Sequence, residues 1–275
     1  MQATAGPFDL VLSYPQWQGS GRPEHLRRGA VAAAEVCRSY GPLVRIPDAG
    51  EGEADGGIQR WTAIEAQFRS AQTILDARQP GRILTAGGDC ACDVAVIDYL
   101  HRRYPDLTVI WVDAHLDANT VETTPSGNFH GMPVAAILGS APAGLQALLS
   151  TPLPSAQFRY VSAHVGDDGD WAFQRGHDLA WIEPGQLLAG QAIAGPIHIH
   201  FDLDALDPAE FPHVAYPDGR LPFAAGLALV RSAAAAGLVG LTITEFAPAD
   251  ERAAQEGSRF IERLCEAATK GEGED

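Results

Sequence analysis

Ile199-His200-Phe201-Asp202-Leu203-Asp204-Ala205-Leu206-Asp207-Pro208 is an apolar strand-like run that ends in carboxylates. Strand alternation sends Asp202 and Asp204 to the same side of the sheet. Carboxylates that face together repel, so positive charge is expected between them, and a metal ion is the simplest carrier. A second run, Val109-Ile110-Trp111-Val112-Asp113-Ala114-His115-Leu116-Asp117, puts Asp113, His115 and Asp117 at alternate positions after another apolar strand. Two such runs in one chain point to a two-metal site.

Working outward, apolar runs that read as strands occur near residues 8–13, 42–47, 82–86, 107–112, 158–164, 178–182, 197–203 and 238–244. Most are separated by helix-period segments such as 25–40 and 222–236. Runs apolar on both faces, such as Leu107 to Val112, suit central parallel strands covered by helices on each side. The expected fold is therefore α/β, three layers, with a mostly parallel sheet of about eight strands. Polar runs fall where strands end: Gly87-Gly88-Asp89-Cys90, Asp113 to Asn119, Asp202 to Pro208, and Glu245. Open parallel sheets bind ligands at that carboxyl edge.

The 275 residues read as one domain, 1–275. Segments 47–57 and 141–154 are rich in Pro and Gly and read as surface loops, and the polar tail 270–275 is expected to be disordered. Lys and Arg number 19 against 35 Asp and Glu, a net charge of −16. That balance speaks against nucleic acid or an anionic membrane surface as partner and favours a cationic small molecule. The four cysteines, Cys37, Cys90, Cys92 and Cys265, have no framework spacing. Free thiols are expected, Cys37 and Cys265 as core residues, in a reducing compartment. With no leader-like segment and no bilayer-length apolar run, the cytoplasm is the expected location.

The ordered set Gly87-Gly88-Asp89-Cys90, Asp113-Ala114-His115-Leu116-Asp117, His130-Gly131-Met132-Pro133, Asp202 to Pro208 and Glu245 resembles the ureohydrolases, the arginase and agmatinase family. The resemblance covers nearly the whole chain and extends, less specifically, to Gln18-Gly19-Ser20-Gly21 and Arg28-Gly29-Ala30. It implies a three-layer α/β/α fold and a binuclear manganese centre. In that centre a water held between cations about 3.5–4 Å apart attacks a guanidinium carbon. By position, it implies Asp113 and Asp202 as bridging carboxylates, His115 and Asp204 as ligands of one metal, and Asp117 and Cys90 as ligands of the other. His130 corresponds to the proton shuttle and Glu245 to the carboxylate that pairs with the guanidinium. Asn119, Thr124, Ser126 and Asn128 resemble the arginase version of the substrate loop, which holds an α-carboxylate. Asp167 resembles the reader of the α-amino group, and Asp170 stands where arginases usually have a glutamate.

Two departures bear on substrate and metal. Cys90 replaces the family's first histidine ligand, and a thiolate is softer than imidazole, so iron, cobalt or zinc become candidates beside manganese. A cysteine there is similar to a branch that acts on Nω-hydroxy-L-arginine. Ala215-Tyr216-Pro217 replaces a Gly-Thr-Pro of the pocket wall, so Tyr216 is expected to reshape the pocket. His198 and His200 share the Asp202 face of their strand and read as hydrogen-bonded core histidines, not as ligands.

Simpler roles stand beside these assignments. Strand-end Asp residues commonly cap turns and helices, Cys90 could be a core thiol, and Asn119, Ser126 and Asn128 could stabilise loop turns. The expected function is hydrolysis of L-arginine or Nω-hydroxy-L-arginine to ornithine plus urea or hydroxyurea, with a homo-oligomer, trimer or hexamer, implied by the resemblance. The alternatives are an agmatinase-type hydrolase of a decarboxylated guanidine and a catalytically weak metabolite-binding protein of the same fold. The His130 loop and Glu245 speak against a zinc deacetylase-type amide hydrolase.

Overall fold

The computed structural model describes residues 6–183 and 195–269. Eight strands form one sheet: β1 Leu10–Tyr14, β2 Leu43–Arg45, β3 Ile83–Gly87, β4 Thr108–Val112, β5 Phe158–Val161, β6 Ala180–Trp181, β7 Ile197–Asp202 and β8 Leu238–Thr244. Their order is β2-β1-β3-β8-β7-β4-β5-β6, and every ladder is parallel. The longer helices are α1 Pro23–Cys37, α2 Trp61–Arg78, α3 Asp93–Arg103, α4 Asp168–Gly176, α5 Phe223–Ala236 and α6 Glu251–Thr269.

Period-2 alternation builds two cores from one sheet. On β4, Val109 and Trp111 pack into a cluster with Ile64, Phe68 and Leu75 of α2 and Val94, Ile97 and Leu100 of α3. Ile110 and Val112 point the other way, to Ala33 and Ala34 of α1, Leu227 and Val230 of α5, and Ile261 and Leu264 of α6. Burying each such aliphatic side chain stabilises the fold by roughly 1.5–3 kcal/mol. Both faces of the central strands are therefore largely apolar. The same parity on β7 sends Ile197, Ile199 and Phe201 to the α1/α5/α6 side. His198, His200 and Asp202 leave by the opposite face, where Asp93 of α3 meets both histidines.

The eight strands lie where the apolar runs place them, with some ends trimmed. Strand β5 stops at Val161 because Ser162 turns into the left-handed region at φ 69°. Segment 141–154 contains one short helix, Ala143–Gln146, within the expected loop. The expected disordered tail, 270–275, lies outside the described residues. All four cysteines are free and buried, with Cys37 and Cys265 sulfurs 3.8 Å apart between α1 and α6. Among the described residues no helix is long and apolar enough to cross a membrane.

Candidate metal centre

Because all strands run parallel, their carboxyl ends collect at one edge, and the loops leaving β3, β4, β7 and β8 meet there. A cavity of about 170 Å³ at that edge is lined by Cys90, His115, Asp117, His130, Asp170, Asp202, Asp204, Tyr216 and Glu245, among others. Asp113 lies directly beneath, wholly buried.

The local backbone shows how these side chains converge. Asp202 is the last residue of β7, and Asp204 sits in the tight turn Leu203–Ala205 rather than on the strand. The Asp204 amide donates to Asp202 Oδ1 at 2.6 Å, so the turn, not strand alternation, brings the two carboxylates together. Strand β4 likewise ends at Val112, before Asp113. The His115 amide donates to Asp113 Oδ1 at 2.7 Å, and Asp117 takes a left-handed backbone at φ 49°. Glu245, just past β8, does the same at φ 58°, and its amide donates to the Gly88 carbonyl at 2.7 Å. Left-handed backbone is costly for residues with a Cβ, and it marks two carboxylates that the surrounding structure holds in place.

Behind the first ring of residues stands a scaffold. Asp89 accepts from Gln16 Nε2 at 2.9 Å, from the Gly19 and Ser20 amides at 2.7 and 3.3 Å, and from the Ala91 amide at 3.1 Å. It thereby ties the N-terminal loop to the end of β3. Gly88 is required beside it, since a Cβ there would overlap the Gln16 carbonyl. The His130 amide donates to Gly19 at 3.3 Å, which carries the same tie to the pocket wall. Trp111 donates from Nε1 to Asp113 Oδ2 at 3.0 Å.

Two groups of side chains have ligand atoms within 4.8 Å of one another: Cys90, Asp113, His200 and Asp202, and Asp113, His115 and Asp204. Asp113 belongs to both. Cys90 Sγ lies 2.8 Å from Asp202 Oδ2 and 4.0 Å from Glu245 Oε1. His115 Nδ1 lies 3.1 Å from Asp204 Oδ2 and 3.4 Å from Asp113 Oδ1. Asp117 falls in neither group, and its Oδ2 and Glu245 Oε2 are buried without a partner among the described residues. Such orphaned oxygens cost free energy unless a ligand satisfies them.

The electrostatics agree. Burial, reinforced by neighbouring carboxylates, pushes Asp117, Asp202 and Glu245 well above the usual carboxylate range and Asp204 up to about 6. Burial and the Asp202 charge push the Cys90 thiol up. Burial works against protonated His115, but the Asp204 and Asp113 charges outweigh it and hold this imidazole well above its ordinary value. At Asp113 burial is in turn outweighed by hydrogen bonding to His115, which lowers it. His130 is pushed down to about 4 by burial and the His115 charge. Asp113, Asp117, Asp170, Asp202, Asp204 and Glu245 are all buried carboxyl groups, and His115 stands among them. Sulfur, nitrogen and oxygen donors with orphaned oxygens fit divalent cations.

Of the remaining expected site residues, Asp170 and Tyr216 line the cavity and the others stand further out. Asp167 caps α4, accepting from the Gly169 and Asp170 amides, and the Asp170 carboxylate accepts from the Asp167 and Ala118 amides. Asn119 donates to Asp167 Oδ2 at 3.1 Å. Thr124 accepts from the Gly127 amide and Ser126 from the Asn128 amide, contacts that shape the loop itself. None of Asn119, Thr124, Ser126, Asn128 or Asp167 lines the cavity. Tyr216 walls it, its ring 5.6 Å from His130 and 5.9 Å from His115, with Arg22 Nε donating to its hydroxyl at 3.0 Å. The sequence reading passed over Asp89, Gln16, Trp111 and Asp93. The position of Asp89 inside the Gly-Gly-Asp-Cys run was the one available signal. His198 and His200 are hydrogen-bonded core histidines as expected, yet His200 also stands among the ligand atoms.

Residues 7–269 match the model of the Arginase family. The chain is 32% identical over 219 residues to arginase-1 of Homo sapiens, covering 72% of this chain and 68% of that protein. It is 35% identical over 205 residues to the arginase of Eremothecium gossypii, covering 67% and 51%. The chain thus aligns over about half to two thirds of the length of these curated relatives. Its fold is similar to that of Entamoeba histolytica arginase, solved with L-ornithine, with a TM-score of 0.80 at 19% identity over 96% of this chain and 99% of that one. With a family model spanning almost every described residue and the same fold recovered in three dimensions, the chain belongs to the arginase family.

Proposed function

We propose that this protein is a binuclear-metal amidinohydrolase that cleaves a guanidino L-amino acid, L-arginine or its Nω-hydroxy derivative, to L-ornithine and urea or hydroxyurea. The observation that carries this reading is the sharing of Asp113 by two adjacent ligand groups whose other members Cys90, His115, Asp202 and Asp204 line one acidic cavity. Asp113, His115, Asp202, Asp204 and Cys90 would hold the cations. Manganese is the family expectation, with iron, cobalt or zinc admitted by the Cys90 sulfur. A bound metal pair would supply Lewis-acid charge and lower the pKa of water toward neutrality.

The chain's own residues supply the rest. Glu245 Oε2, unpartnered, accepts from a guanidinium N–H and orients the planar cation. Asp117 Oδ2, also unpartnered, accepts a hydrogen bond from the attacking water. Water adds to the guanidinium carbon, the bond from that carbon to the side-chain nitrogen breaks, and the proton lost by the water ends on the departing amine. His130, neutral at pH 7 and 3.9 Å from Glu245, accepts that proton and passes it on. Arg22, packed over Tyr216 at 4.5 Å, puts positive charge at the pocket wall. That charge supports a substrate with an α-carboxylate over decarboxylated agmatine; Asn119, Ser126 and Asn128 do not line the cavity and would touch only a part of the substrate that extends beyond it.

Incubating metal-loaded protein separately with L-arginine, Nω-hydroxy-L-arginine and agmatine, and assaying ornithine and putrescine, tests the reading. Ornithine from either amino acid supports it. Putrescine alone would favour agmatinase chemistry, and stoichiometric metal with no product would favour a binding role. A homo-oligomer is proposed with this function, to be checked by light scattering, as is a cytoplasmic location.

A further inference from the structure

His200 precedes Asp202 by two residues on β7, so both leave the same face of the sheet. Its ring lies flat against the Trp111 indole, centroids 3.5 Å apart and planes within 6°. Nδ1 is 2.9 Å from Asp93 Oδ2, and the same oxygen takes His198 Nε2 at 2.8 Å, while Thr242 donates to Asp93 Oδ1. A carboxylate only accepts, so a proton resides on His200 Nδ1, and in the neutral imidazole the lone pair is on Nε2. A carboxylate behind one imidazole nitrogen is the arrangement that aims and strengthens the other as a metal donor. Thr244 Oγ1 is 3.3 Å from Nε2 and 3.7 Å from Cys90 Sγ, so this nitrogen and the thiol flank one hydroxyl. His200, Cys90, Asp113 and Asp202 have ligand atoms within 4.8 Å of one another.

We propose that His200 Nε2 is a direct ligand of the cation on the Cys90 side, completing a sulfur, nitrogen and carboxylate-oxygen site that selects a softer metal than its neighbour. The adjoining group, Asp113, His115 and Asp204, offers no sulfur. Thiolate and imidazole together suit zinc, cobalt or iron, whereas a carboxylate-rich site suits manganese. The imidazole absent at position 90 is thereby supplied from β7, with Asp93 as its positioning residue. The inference rests on the binuclear reading above.

Cobalt(II) titration of the whole protein, read by metal stoichiometry, the near-ultraviolet thiolate-to-cobalt band and hyperfine-shifted imidazole N–H signals under 15N-histidine labelling, tests it. Two shifted imidazoles are expected, from His115 and His200. His200→Asn keeps a donor toward Asp93 but removes Nε2. It is expected to lower cobalt binding from about two equivalents to about one, to weaken the sulfur band and to abolish one imidazole signal. Two cobalt ions with a single shifted imidazole in the unmodified protein, or an unchanged spectrum in His200→Asn, would overturn the inference and leave the binuclear reading intact. No cobalt uptake by the unmodified protein would overturn both. Should His200→Asn fail to fold, His115→Asn decides: one shifted imidazole remaining supports His200 ligation, and none refutes it.

Discussion

Two buried polar clusters share one face of β7, a residue or two apart, and they differ in how completely they satisfy themselves. In the first, Asp93 is wholly buried yet binds His198, His200 and Thr242, all within 2.9 Å. Burial alone would raise its pKa, but the two histidines outweigh it and hold the carboxyl well below the usual range. In the second, Asp117, Asp202, Asp204 and Glu245 are pushed upward by burial and by one another, and two oxygens have no partner among the described residues. In the first the carboxylate is satisfied within the protein, and one imidazole nitrogen, His198 Nδ1, is left without a partner among the described residues. The second is complete only with added positive charge, and that asymmetry is what separates a structural network from a ligand site.

The comparison breaks most sharply at Asp113, the residue common to both ligand groups. Asp113→Asn is expected to lower kcat/KM about a thousandfold or more, since a metal pair supplies several kcal/mol of charge stabilisation at about 1.36 kcal/mol per decade. Steady-state kinetics with metal analysis checks it, and retention of both metals and most activity would refute a bridging role. Asp93→Asn attacks the cluster whose carboxylate is satisfied instead. It is expected to weaken metal binding about 10–100-fold and to lower stability by about 1–3 kcal/mol, because the buried His198, His200 and Thr242 lose or weaken their hydrogen bonds to a carboxylate. Denaturant unfolding beside metal titration reads both effects.

The unsatisfied cluster also predicts a pH dependence of opposite sign to ordinary acid denaturation. A carboxyl whose folded pKa exceeds its unfolded value near 3.9 contributes stability that is lost as pH rises through the folded pKa. Asp204, up to about 6, titrates inside the accessible window. Chelator-treated protein should therefore lose thermal stability as the pH rises from about 4 to 6, and manganese should raise Tm more at pH 7 than at pH 5. A metal-induced shift in Tm independent of pH would contradict this. The smallest effect is expected at the wall: Tyr216→Phe removes the bond from Arg22, and because that pair is exposed the change in KM should be roughly two- to threefold, the low end of about 0.5–1.5 kcal/mol. A tenfold change would assign the hydroxyl a direct part in substrate binding.

Much of this was legible in the residues. Runs of Val, Ile and Leu apolar on both faces mark β4 and β7 as central strands, and the carboxylate runs mark the functional edge of the sheet. Convergence was less legible, because Asp117 and Glu245 reach the cavity through left-handed backbone and Asp204 through a turn, none of which side-chain periodicity encodes. His200 shows the limit most clearly. Its hydrogen bond to the core was inferred correctly, but a ring with two nitrogens can serve the core with one and a ligand with the other. That double use is visible only when Asp93 and Cys90 are seen on opposite sides of it. Thr124 and Ser126 illustrate the converse, since their oxygens accept amides of their own loop.

The strand order β2-β1-β3-β8-β7-β4-β5-β6 has a consequence for the growing chain. The two middle strands are the last to be synthesised, so until residue 244 has emerged the sheet exists as two separate halves. Each half then exposes an apolar edge, β3 on one side and β4 on the other, and open edges of this kind invite association with other chains. Asp202, Asp204 and Glu245 arrive with those same strands. Docking β7 on β4 brings Asp113, His115 and Asp204 together, and the step that welds the halves adds Cys90 to Asp113 and Asp202, so completion of the metal centre and closure of the sheet become coupled late events in biogenesis.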